Sequence, residues 1–578
     1  MIVLGLSFDY HDAAAALLMD GRIVFAAEEE RYSRIKHDRR LPRLAVREAL
    51  KHAGIGIDQV DAVIFYEQPM VKFGRIYQAT RGLADGTARL ADSLAYWFRN
   101  GKFQVTERIA EELGVARERI HFIRHHQSHA AAAYFSSPFE AATVVTIDGI
   151  GEYETASVSV GSASRLEQID AMRYPNSLGL FYSAMTAFLG FEVNEGEYKV
   201  MGMAGFGQPR HLDTLRPLLF DAGRLRVDGD FFDFQVASGP PYRQALLDLL
   251  GPARKPEACF DPGADTAIGN SSRHYADIAA SVQRLAEEAV LDYVAAAVAR
   301  TGIRAVAYAG GVALNSLANG RIQRELGVPL YVHPSPGDAG GALGAALYHH
   351  CVTLGLPRPA PLKSALLGSG HTQDEVLAAL SHLGIRKVET LPDRASMCHR
   401  VAAILADGKV IGWFQGRFEW GPRALGARSI LADPSHPGMQ RIINEKIKFR
   451  EPFRPFAPAV LAEHAADYFD VAGSGGPLDP ERFMLSVCRV REDKAARIPA
   501  VTHVDGTARV QLVGAGEPTA FRELLEHFHA STGLPVLLNT SFNRRGEPIV
   551  ATPRDALQTF FYSGLDCLVM ENSIVWKT

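Results

Sequence analysis

The sequence predicts an α/β protein of at least two domains. At 578 residues, the chain is longer than a single hydrophobic core usually organises. Strands followed by Asp- or Gly-containing turns occur in IVLGLSFDYHDAAAALLMDGRIVF and again in ATVVTIDGIGEYETASVSVG, which indicates two similarly built lobes. A Pro-, Gly- and Ser-rich stretch at 352–370 marks the main boundary. We therefore expect an N-terminal domain over 1–365, a linker over 366–384 and a C-terminal domain over 385–578.

Turns at the strand ends point to a phosphate-binding domain. Asp20 and Gly21 join two apolar runs, as in a tight hairpin. In RAVAYAGGVALNSLANGRI, a buried strand leads into Gly310 and Gly311, whose backbone amides could approach an anionic oxygen; an ordinary tight turn is the alternative. In HPSPGDAGGALGAALYHH, Asp338 opens a helix of small residues. Actin-like and sugar-kinase-like ATPase domains hold phosphates with such loops.

Composition excludes several classes of protein. A formal net charge of −4 gives no electrostatic reason to expect nucleic acid or an anionic membrane. The five cysteines form no CxxC pair, which argues against zinc ribbons and disulfide frameworks. Asp9 and Asp12 interrupt the N-terminal apolar run before it could act as a signal peptide, and no apolar segment is long enough to cross a membrane. We expect a reduced, cytoplasmic protein with small-molecule partners.

Histidines, an alanine run and an aspartate lie close together in HHQSHAAAAYFSSPFEAATVVTID. If HHQSHAAAAYF is helical, His125 and His129 share one face and could reach one divalent ion. Asp148 and Asp338 could add oxygen ligands, which gives a mixed N/O site compatible with Fe(II), Mn(II) or Zn(II). An accidental histidine pair and a turn-forming Asp148 are the alternatives. His126 points elsewhere on the helix and is expected to hydrogen-bond a ligand or the substrate.

The longer motifs carry a resemblance to a known family. They are HHQSHAAAAYFSSPFEAATVVTIDGIGE, SLGLFYSAMTAFLGF, EYKVMGMAGFG, GGVALN, SPGDAGGALGAAL, GRFEWGPRALGARSILADP, KFREPFRPFAP, THVDGTARVQ and LNTSFNRRGEPIV. In this order they resemble the O-carbamoyltransferases, which include nodulation-factor carbamoyltransferases and relatives acting on tobramycin, cephems and ansamycins. The resemblance covers nearly the whole chain and is weakest at about 65–118 and 208–275.

The resemblance implies both an architecture and a reaction. It implies an N-terminal domain with the actin-like ATPase fold of threonylcarbamoyl transferases and a C-terminal YrdC-like α/β domain. The C-terminal domain would convert carbamoyl phosphate and ATP to carbamoyl adenylate, and the N-terminal domain would pass the carbamoyl group to a hydroxyl of a small-molecule acceptor. It also implies an iron ion bound by His125, His129, Asp148 and Asp338.

The resemblance places the anion-binding residues in the C-terminal domain. Carbamoyl phosphate and ATP are polyanions, so several fixed cations must offset their repulsion. The residues expected to bind them are Arg423, Lys448, Arg454 and Arg509, with Ser541 and Asn543 as hydrogen-bonding partners. Of these, Arg423, Lys448 and Arg454 would also act in catalysis. Arg428 and Arg450 are the better candidates for structural ion pairs, and neighbouring residues such as Pro452 and Phe453 favour ordered loops over a solvated basic face.

In the N-terminal domain, the acceptor hydroxyl must lose a proton. His11 is expected to be the general base or an acceptor contact, because a neutral imidazole near pH 7 accepts a proton; a structural role is the alternative. Gly310, Gly311 and Asn315 are expected to hold the nucleotide, and Lys199 a phosphate. The expected cofactors are Fe(II) or another divalent ion, ATP, and Mg²⁺ accompanying the ATP.

Three rival functions were weighed against this one. A hydrogenase-maturation carbamoyltransferase should carry CxxC zinc motifs, which the sequence lacks. A tRNA threonylcarbamoylation enzyme calls for a basic face, to which the near-neutral net charge gives little support. A catalytically silent actin-like nucleotide-binding protein would not need both the cation cluster and the metal residues. The acceptor pocket is expected from the segments 63–83 and 271–285. The acceptor's identity and the oligomeric state do not follow from the sequence.

Overall fold

The structure is a computed structural model that describes residues 1–234, 239–450, 454–472, 479–515 and 519–577. The chain forms two compact units. The first comprises Met1–Ile23, Arg39–Arg43 and Gly54–Pro361, and the second comprises Val24–Asp38, Leu44–Ala53 and the described residues from Leu362 onward. Both units combine helices and strands, which confirms the α/β class.

The strands are β1 Ile2–Ser7, β2 Ala14–Met19, β3 Arg22–Glu28, β4 Ala62–Phe65, β5 Ile120–Phe122, β6 Ala141–Ile147, β7 Glu154–Ser162, β8 Arg165–Arg173, β9 Phe220–Asp221, β10 Arg224–Leu225, β11 Val306–Ala309, β12 Leu330–Val332, β13 Val388–Thr390, β14 Ile411–Phe414, β15 Arg428–Ala432, β16 Ala457–Leu461, β17 Cys488–Arg489, β18 Thr507–Ala508, β19 Gln511–Val513, β20 Val536–Ser541, β21 Cys567–Met570 and β22 Ser573–Trp576.

The α-helices are α1 Glu30–Ser33, α2 Arg43–Ala53, α3 Pro69–Thr80, α4 Gly86–Arg99, α5 Val105–Leu113, α6 His125–Ser136, α7 Leu178–Phe188, α8 Glu197–Ala204, α9 Leu212–Leu219, α10 Gln244–Leu250, α11 Ala267–Thr301, α12 Ser316–Arg321, α13 Asp338–Tyr348, α14 Gln373–His382, α15 Arg394–Ala406, α16 Met439–Ile443, α17 Ala465–Tyr468, α18 Glu492–Ala495, α19 Ala520–Thr532 and α20 Pro553–Phe561. Among the described residues, no helix combines the length and the apolar composition that a membrane crossing requires.

Two five-stranded sheets of the same topology build the first unit. Their strand orders are β3-β2-β1-β4-β5 and β8-β7-β6-β11-β12. In each, three sequential strands are neighbours, and two later strands are added in parallel beside the first of the three. The repeated order confirms the two similar lobes and the actin-like ATPase layout expected for this part of the chain.

The two strand connections that looked alike in sequence differ in length. Asp20 and Gly21 both have positive φ, 48° and 76°, as the predicted tight hairpin requires. The connection that starts at Asp148 runs over six residues before β7 begins. Its first residue is still tied to the sheet, because the Asp148 amide donates to the Thr155 carbonyl at 2.9 Å. This longer loop leaves the Asp148 carboxylate available for other contacts.

Small residues allow helix α13 to lie directly against helix α6 and strand β1. The alanine run 130–133 of α6 is at most 2% exposed. A Cβ atom at Gly344 would lie 1.8 Å from the Ser128 carbonyl oxygen, and one at Gly5 would lie 1.9 Å from the Ala342 carbonyl oxygen. Such distances are far inside van der Waals contact, so only glycine permits this approach. It places the start of α13 beside the first turns of α6.

The second unit is built on an eight-stranded mixed sheet. Its strand order is β13-β22-β21-β14-β15-β20-β16-β19, in which only β14 with β21 and β16 with β19 are parallel pairs. The segment 366–384, expected to be a linker, contains helix α14, whose Val376 and Leu380 belong to the hydrophobic core of this unit. The Pro- and Gly-rich composition of 352–370 therefore marks only the start of the second unit.

The close approach of α13 and α6 gives a stability prediction. Gly→Ala inside a helix ordinarily stabilises by about 1 kcal/mol. At Gly344 the clash with the Ser128 carbonyl should reverse the sign and destabilise the fold by about 3 kcal/mol. Urea unfolding of Gly344→Ala measures this, with Gly229→Ala as the control because a Cβ there meets open space. Equal stability of the two variants would contradict the packing described.

Candidate metal centre and anion site

Four predicted ligands converge in the first unit. The Nε2 atoms of His125 and His129 lie 3.0 Å apart, and His125 Nε2 lies 2.7 Å from an Asp148 carboxylate oxygen. Asp338 places one oxygen 3.7 Å from His125 Nε2 and 3.6 Å from His129 Nε2. All four side chains are buried, and one ligand atom from each lies within 4.8 Å of the others.

These distances fit a shared divalent cation. Ligand atoms bound at about 2.1 Å lie about 3.0 to 3.4 Å from one another. Two imidazole nitrogens and the carboxylate oxygens turn toward one point, an arrangement that requires a positive charge between them, either a proton or a metal ion. Burial alone would raise the pKa of Asp148, but hydrogen bonds to His125 and His129 hold it well below its ordinary value. The donor set therefore fits a metal such as Fe(II), Mn(II) or Zn(II).

Three parts of the fold hold the four predicted ligands. His125 and His129 lie on consecutive turns of α6, which confirms the predicted helix, and Asp338 is the first residue of α13. The second oxygen of Asp148 accepts a 2.8 Å hydrogen bond from the Gly311 amide. Gly310 has φ of 96°, and a Cβ there would lie 2.2 Å from the Ile147 carbonyl oxygen. The two glycines after β11 therefore position a predicted metal ligand.

His126 is held by the neighbouring sheet. Its Nδ1 lies 2.7 Å from Thr146 Oγ1, and its Nε2 lies 2.9 Å from the Glu154 carbonyl oxygen. Burial and the adjacent His125 lower the pKa of His126 to about 3, so the ring is neutral. Because both nitrogens are engaged in fixing α6 to β6 and the start of β7, His126 orients the metal helix.

Glu152 is a buried residue that sequence reasoning missed. Its carboxylate accepts the His125 amide at 3.1 Å and the Gln68 amide, just before α3, at 2.8 Å. Burial raises the pKa of Glu152. One carboxylate thus joins the loop after β6, the first turn of α6 and the start of α3. The sequence offers no local pattern for this contact.

His11 lies at the edge of the metal cluster. Its Nδ1 is 2.8 Å from Asp12, and its Nε2 is 3.9 Å from an oxygen of Asp338. Burial lowers the pKa of His11, but Asp338, Asp12 and Asp148 outweigh burial and raise it to about 9. The surrounding carboxylates therefore favour the imidazolium form when no metal offsets their charge.

The residues of the first unit that were predicted to hold the nucleotide differ in their contacts. Asn315 caps α12 by accepting the Ala318 amide, and it exchanges side-chain hydrogen bonds with Gln283. The Lys199 ammonium lies over the ring of Phe191, 5.6 Å from its centroid. The Gly311 amide is already bonded to Asp148.

A cavity of about 430 Å³ lies in the first unit. It is lined by Arg75, Gln78, Ala79, Leu83, Tyr153, Tyr174, Pro175, Val227, Gly229, Phe232, Asp233, Phe234 and Arg243. The first four belong to the segment 63–83 that was expected to contribute to an acceptor pocket. No residue of the segment 271–285 lines this cavity.

In the second unit, Lys448 lies at the centre of a second site. It is 3% exposed, and its ammonium donates to the backbone and side-chain oxygens of both Ser541 and Asn543. All of these partners are uncharged. Burial, with Arg450 and Arg454 nearby, holds the pKa of Lys448 well below its ordinary value. An anion at this site would relieve that penalty.

Arginines surround Lys448 in the same unit. Burial and the nearby positive charges of Arg423 and Arg450 lower the pKa of Arg509. Arg450 also acts electrostatically on Lys448. Arg454 likewise acts electrostatically on Lys448, so each of the four predicted anion-binding cations takes part in these interactions. Such a concentration of positive charge is costly unless an anion binds there.

Two further acidic residues organise the Arg423 loop. Glu419 accepts the amides of Leu425 and Ala427, each at 2.7 Å. Glu28, near the N-terminus, accepts the Gly421 amide at 2.8 Å, and Arg31 donates to the Gly421 carbonyl at 2.7 Å. The N-terminal segment Val24–Asp38 is therefore part of the second unit, which its position in the sequence did not suggest.

Arg428 and Arg450 have structural contacts in the described part of the chain. Arg428 is fully buried, stacks on Phe414 at 3.6 Å and donates to three backbone carbonyls. Arg450 donates to the Asn444 side chain at 2.8 Å and lies over a phenylalanine ring. Pro452 and Phe453 lie outside the described residues.

Two family models match the chain. One, described as Carbamoyltransferase N-terminus, covers residues 2–347, and the other, described as Carbamoyltransferase C-terminus, covers residues 402–577. The chain belongs to the carbamoyltransferase family. The resemblance drawn from the sequence motifs is thereby confirmed, and this carbamoyltransferase is an enzyme that transfers carbamoyl groups.

Relatives extend over most of the chain. The uncharacterized protein sll1178 of Synechocystis sp. is 39% identical over 614 residues, which covers 100% of this carbamoyltransferase and 97% of the relative. Nodulation protein NolNO of Sinorhizobium fredii is 35% identical, covering 98% of this chain and 79% of the relative. Among solved structures, component A of the (R)-2-hydroxyglutaryl-CoA dehydratase of Acidaminococcus fermentans aligns with a TM-score of 0.32 and 17% identity, over 60% of this chain and 97% of that chain.

The first prediction for this carbamoyltransferase concerns metal content. Single His125→Ala and His129→Ala variants remove one of the four converging ligands, so retained Mn(II) or Fe(II) should fall by about tenfold or more. Elemental analysis after loading and desalting measures it. His382→Ala, at an exposed position on α14, is the matched control. Full metal retention by both ligand variants would contradict the site.

The second prediction concerns pH. In the metal-free protein, burial lowers the pKa of His129, but Asp148 and Asp338 outweigh burial and raise it to about 9. Protonated His129 therefore stabilises the metal-free fold fully below about pH 6.5, and this stabilisation is lost as pH rises through 9. Because a cation must displace that proton, Mn(II) affinity should rise about tenfold per pH unit over this interval. Urea unfolding and Mn(II) titration test both trends, and a flat profile would contradict them.

Proposed function

We propose that the protein is an ATP-dependent O-carbamoyltransferase with two chemical steps. The second unit would form carbamoyl adenylate from carbamoyl phosphate, ATP and water, releasing phosphate and pyrophosphate. The first unit would transfer the carbamoyl group to a hydroxyl of a small-molecule acceptor, releasing AMP. The observation that supports this division is that each unit has its own buried site of distinct chemistry. One is a cation cluster suited to phosphates, and the other is a His/Asp cluster suited to a metal.

The cation cluster suits the first step. Carbamoyl phosphate and ATP repel each other, and negative charge builds on phosphorus as it is attacked. Arg423, Arg454 and Arg509 would bind phosphate oxygens through paired N–H groups, and Lys448 would supply a buried point charge. Ser541 and Asn543 hold the Lys448 ammonium in place. Because these donors are fixed before substrate arrives, little reorganisation would be needed as charge develops.

The His/Asp cluster suits the second step. His125, His129, Asp148 and Asp338 would hold Fe(II) or another divalent ion, which when bound supplies a Lewis acid that polarises the carbamoyl carbonyl. His11 would take the acceptor's proton at Nε2 while its Nδ1 bonds Asp12. Neutralising the carboxylates around His11 with a cation would lower its pKa from about 9 toward the neutral form that a base requires.

Nucleotide contacts in the first unit complete the proposal. Gly310, Gly311 and Asn315 after β11 would face the nucleotide, and Lys199 would approach a phosphate, with Mg²⁺ accompanying ATP in the second unit. Gly311 and Asn315 would then combine this role with their contacts to Asp148 and Gln283.

The proposal is tested by following AMP formation and product mass. With ATP, carbamoyl phosphate and a panel of polyols, the wild-type chain should form AMP, and one acceptor should gain the mass of a single carbamoyl group. Lys448→Met should slow AMP formation by about 100-fold or more, because a buried donor to the phosphates is lost. Lys446→Met, exposed two residues away, is the matched control. Absence of AMP formation by the wild-type protein would overturn the two-step proposal.

A further inference from the structure

Arg75 has an unusual position in the wall of the 430 Å³ cavity. Arg75 lies on helix α3 and is only 8% exposed. Its Nε atom is buried without a hydrogen-bond partner, and within the described part of the chain no hydrogen bond or ion pair of its guanidinium is found. Its guanidinium lies over the ring of Tyr174, 5.6 Å from the centroid. A nearly buried cation without an anion is costly.

The carboxylates near Arg75 are all committed elsewhere. Asp233, also in the cavity wall, is held by Arg89 through two 3.0 Å hydrogen bonds. Glu67 binds the Lys72 ammonium at 2.6 Å. Glu152 accepts backbone amides at the metal helix and at the start of α3. Glu67 and Glu152 act on Arg75 only electrostatically, and within the described residues no carboxylate forms a hydrogen bond or ion pair with its guanidinium, which leaves direct pairing to a molecule in the cavity.

Aromatic rings form the rest of the recognition surface. Tyr153 and Tyr174 line the cavity together with Phe232 and Phe234, whose rings stack with centroids 6.0 Å apart. Flat apolar walls of this kind favour a ring-shaped ligand, either aromatic or the apolar face of a sugar. Arg243, also in the wall, adds a second positive charge near the rim.

The cavity wall and the predicted metal ligands are connected through Glu152. Tyr153 follows Glu152, and the Glu152 carboxylate binds the amide of the ligand His125. The same carboxylate binds the Gln68 amide at the start of α3, the helix that bears Arg75. A ligand between Arg75 and Tyr153 therefore contacts helix α3 and the loop after β6, the two elements that Glu152 ties to α6.

We infer that this cavity binds the acceptor, and that Arg75 selects acceptors in which a hydroxyl-bearing ring also carries an anionic group, a carboxylate or a phosphate. The inference rests on the proposed function. The anion pairs with the guanidinium through two N–H groups, and the ring lies against Tyr153, Tyr174 and Phe232. Arg75 is thus a specificity-determining residue and takes no part in the chemical step.

Matched probes test the inference on the full chain. Binding is measured by calorimetry for 4-(hydroxymethyl)benzoate against benzyl alcohol and for glucuronate against glucose. The wild-type protein should bind the charged member of at least one pair about tenfold more tightly or better. Arg75→Gln should abolish the preference, and Arg75→Lys should keep part of it. Arg81→Gln, exposed just beyond α3, should behave like wild type.

Each other outcome has a defined meaning. No charge preference in the wild-type chain, or a preference that survives Arg75→Gln, overturns the inference. Inorganic phosphate that binds alone with the same dependence on Arg75, and as tightly as the ring-bearing probes, assigns the cavity to a free anion and overturns the acceptor role. Urea unfolding shows whether the Arg75→Gln variant is folded. Because the substitution removes a buried cation that has no ion pair among the described residues, it should not lower the stability of the protein. AMP formation by the wild-type chain is scored separately, so failure of the proposed function remains distinguishable.

Discussion

The backbone contact between helices α6 and α13 is the constraint on which the metal centre depends. Gly344 allows the Ser128 carbonyl to approach to a distance that excludes any side chain, and Gly5 does the same between β1 and α13. This contact brings Asp338, at the start of α13, beside His125 and His129. A larger residue would separate the two helices by more than the few tenths of an ångström that metal coordination tolerates. The packing of α6 against α13 therefore also sets the geometry of the proposed metal site.

Hydrogen bonds from backbone amides to buried carboxylates also fix the positions of the site residues. The Gly311 amide fixes Asp148, and Glu152 fixes the first turn of the metal helix. In the second unit the same device recurs, because Glu419 and Glu28 bind the amides of the loop that bears Arg423. Buried carboxylates without a metal or substrate role thus set the positions of the residues proposed to act. Their removal would leave buried amides unsatisfied, at a cost of about 1–3 kcal/mol each.

The two proposed sites concentrate charges of opposite sign. The His/Asp cluster concentrates carboxylates around titratable imidazoles and holds protons in place of a cation, as the raised pKa values of His11 and His129 indicate. The Lys448 cluster concentrates cations and depresses the pKa of its lysine. Each site is organised for a ligand of opposite charge. Arg75 extends this pattern to a third position, where a single cation meets aromatic walls.

Local sequence patterns determined the two-lobed plan, the Asp20-Gly21 hairpin, the helix that bears His125 and His129, and the position of Asp338 at a helix start. They could do so because strand periodicity, turn residues and helical spacing act over a few neighbouring residues. Only the tertiary structure decided the rest. It gave Gly311 a ligand-positioning role, placed Val24–Asp38 in the second unit and made α14 part of a core. It also left Arg75 with no ion pair among the described residues. These features depend on which buried groups meet across long stretches of chain, and no local spacing encodes that.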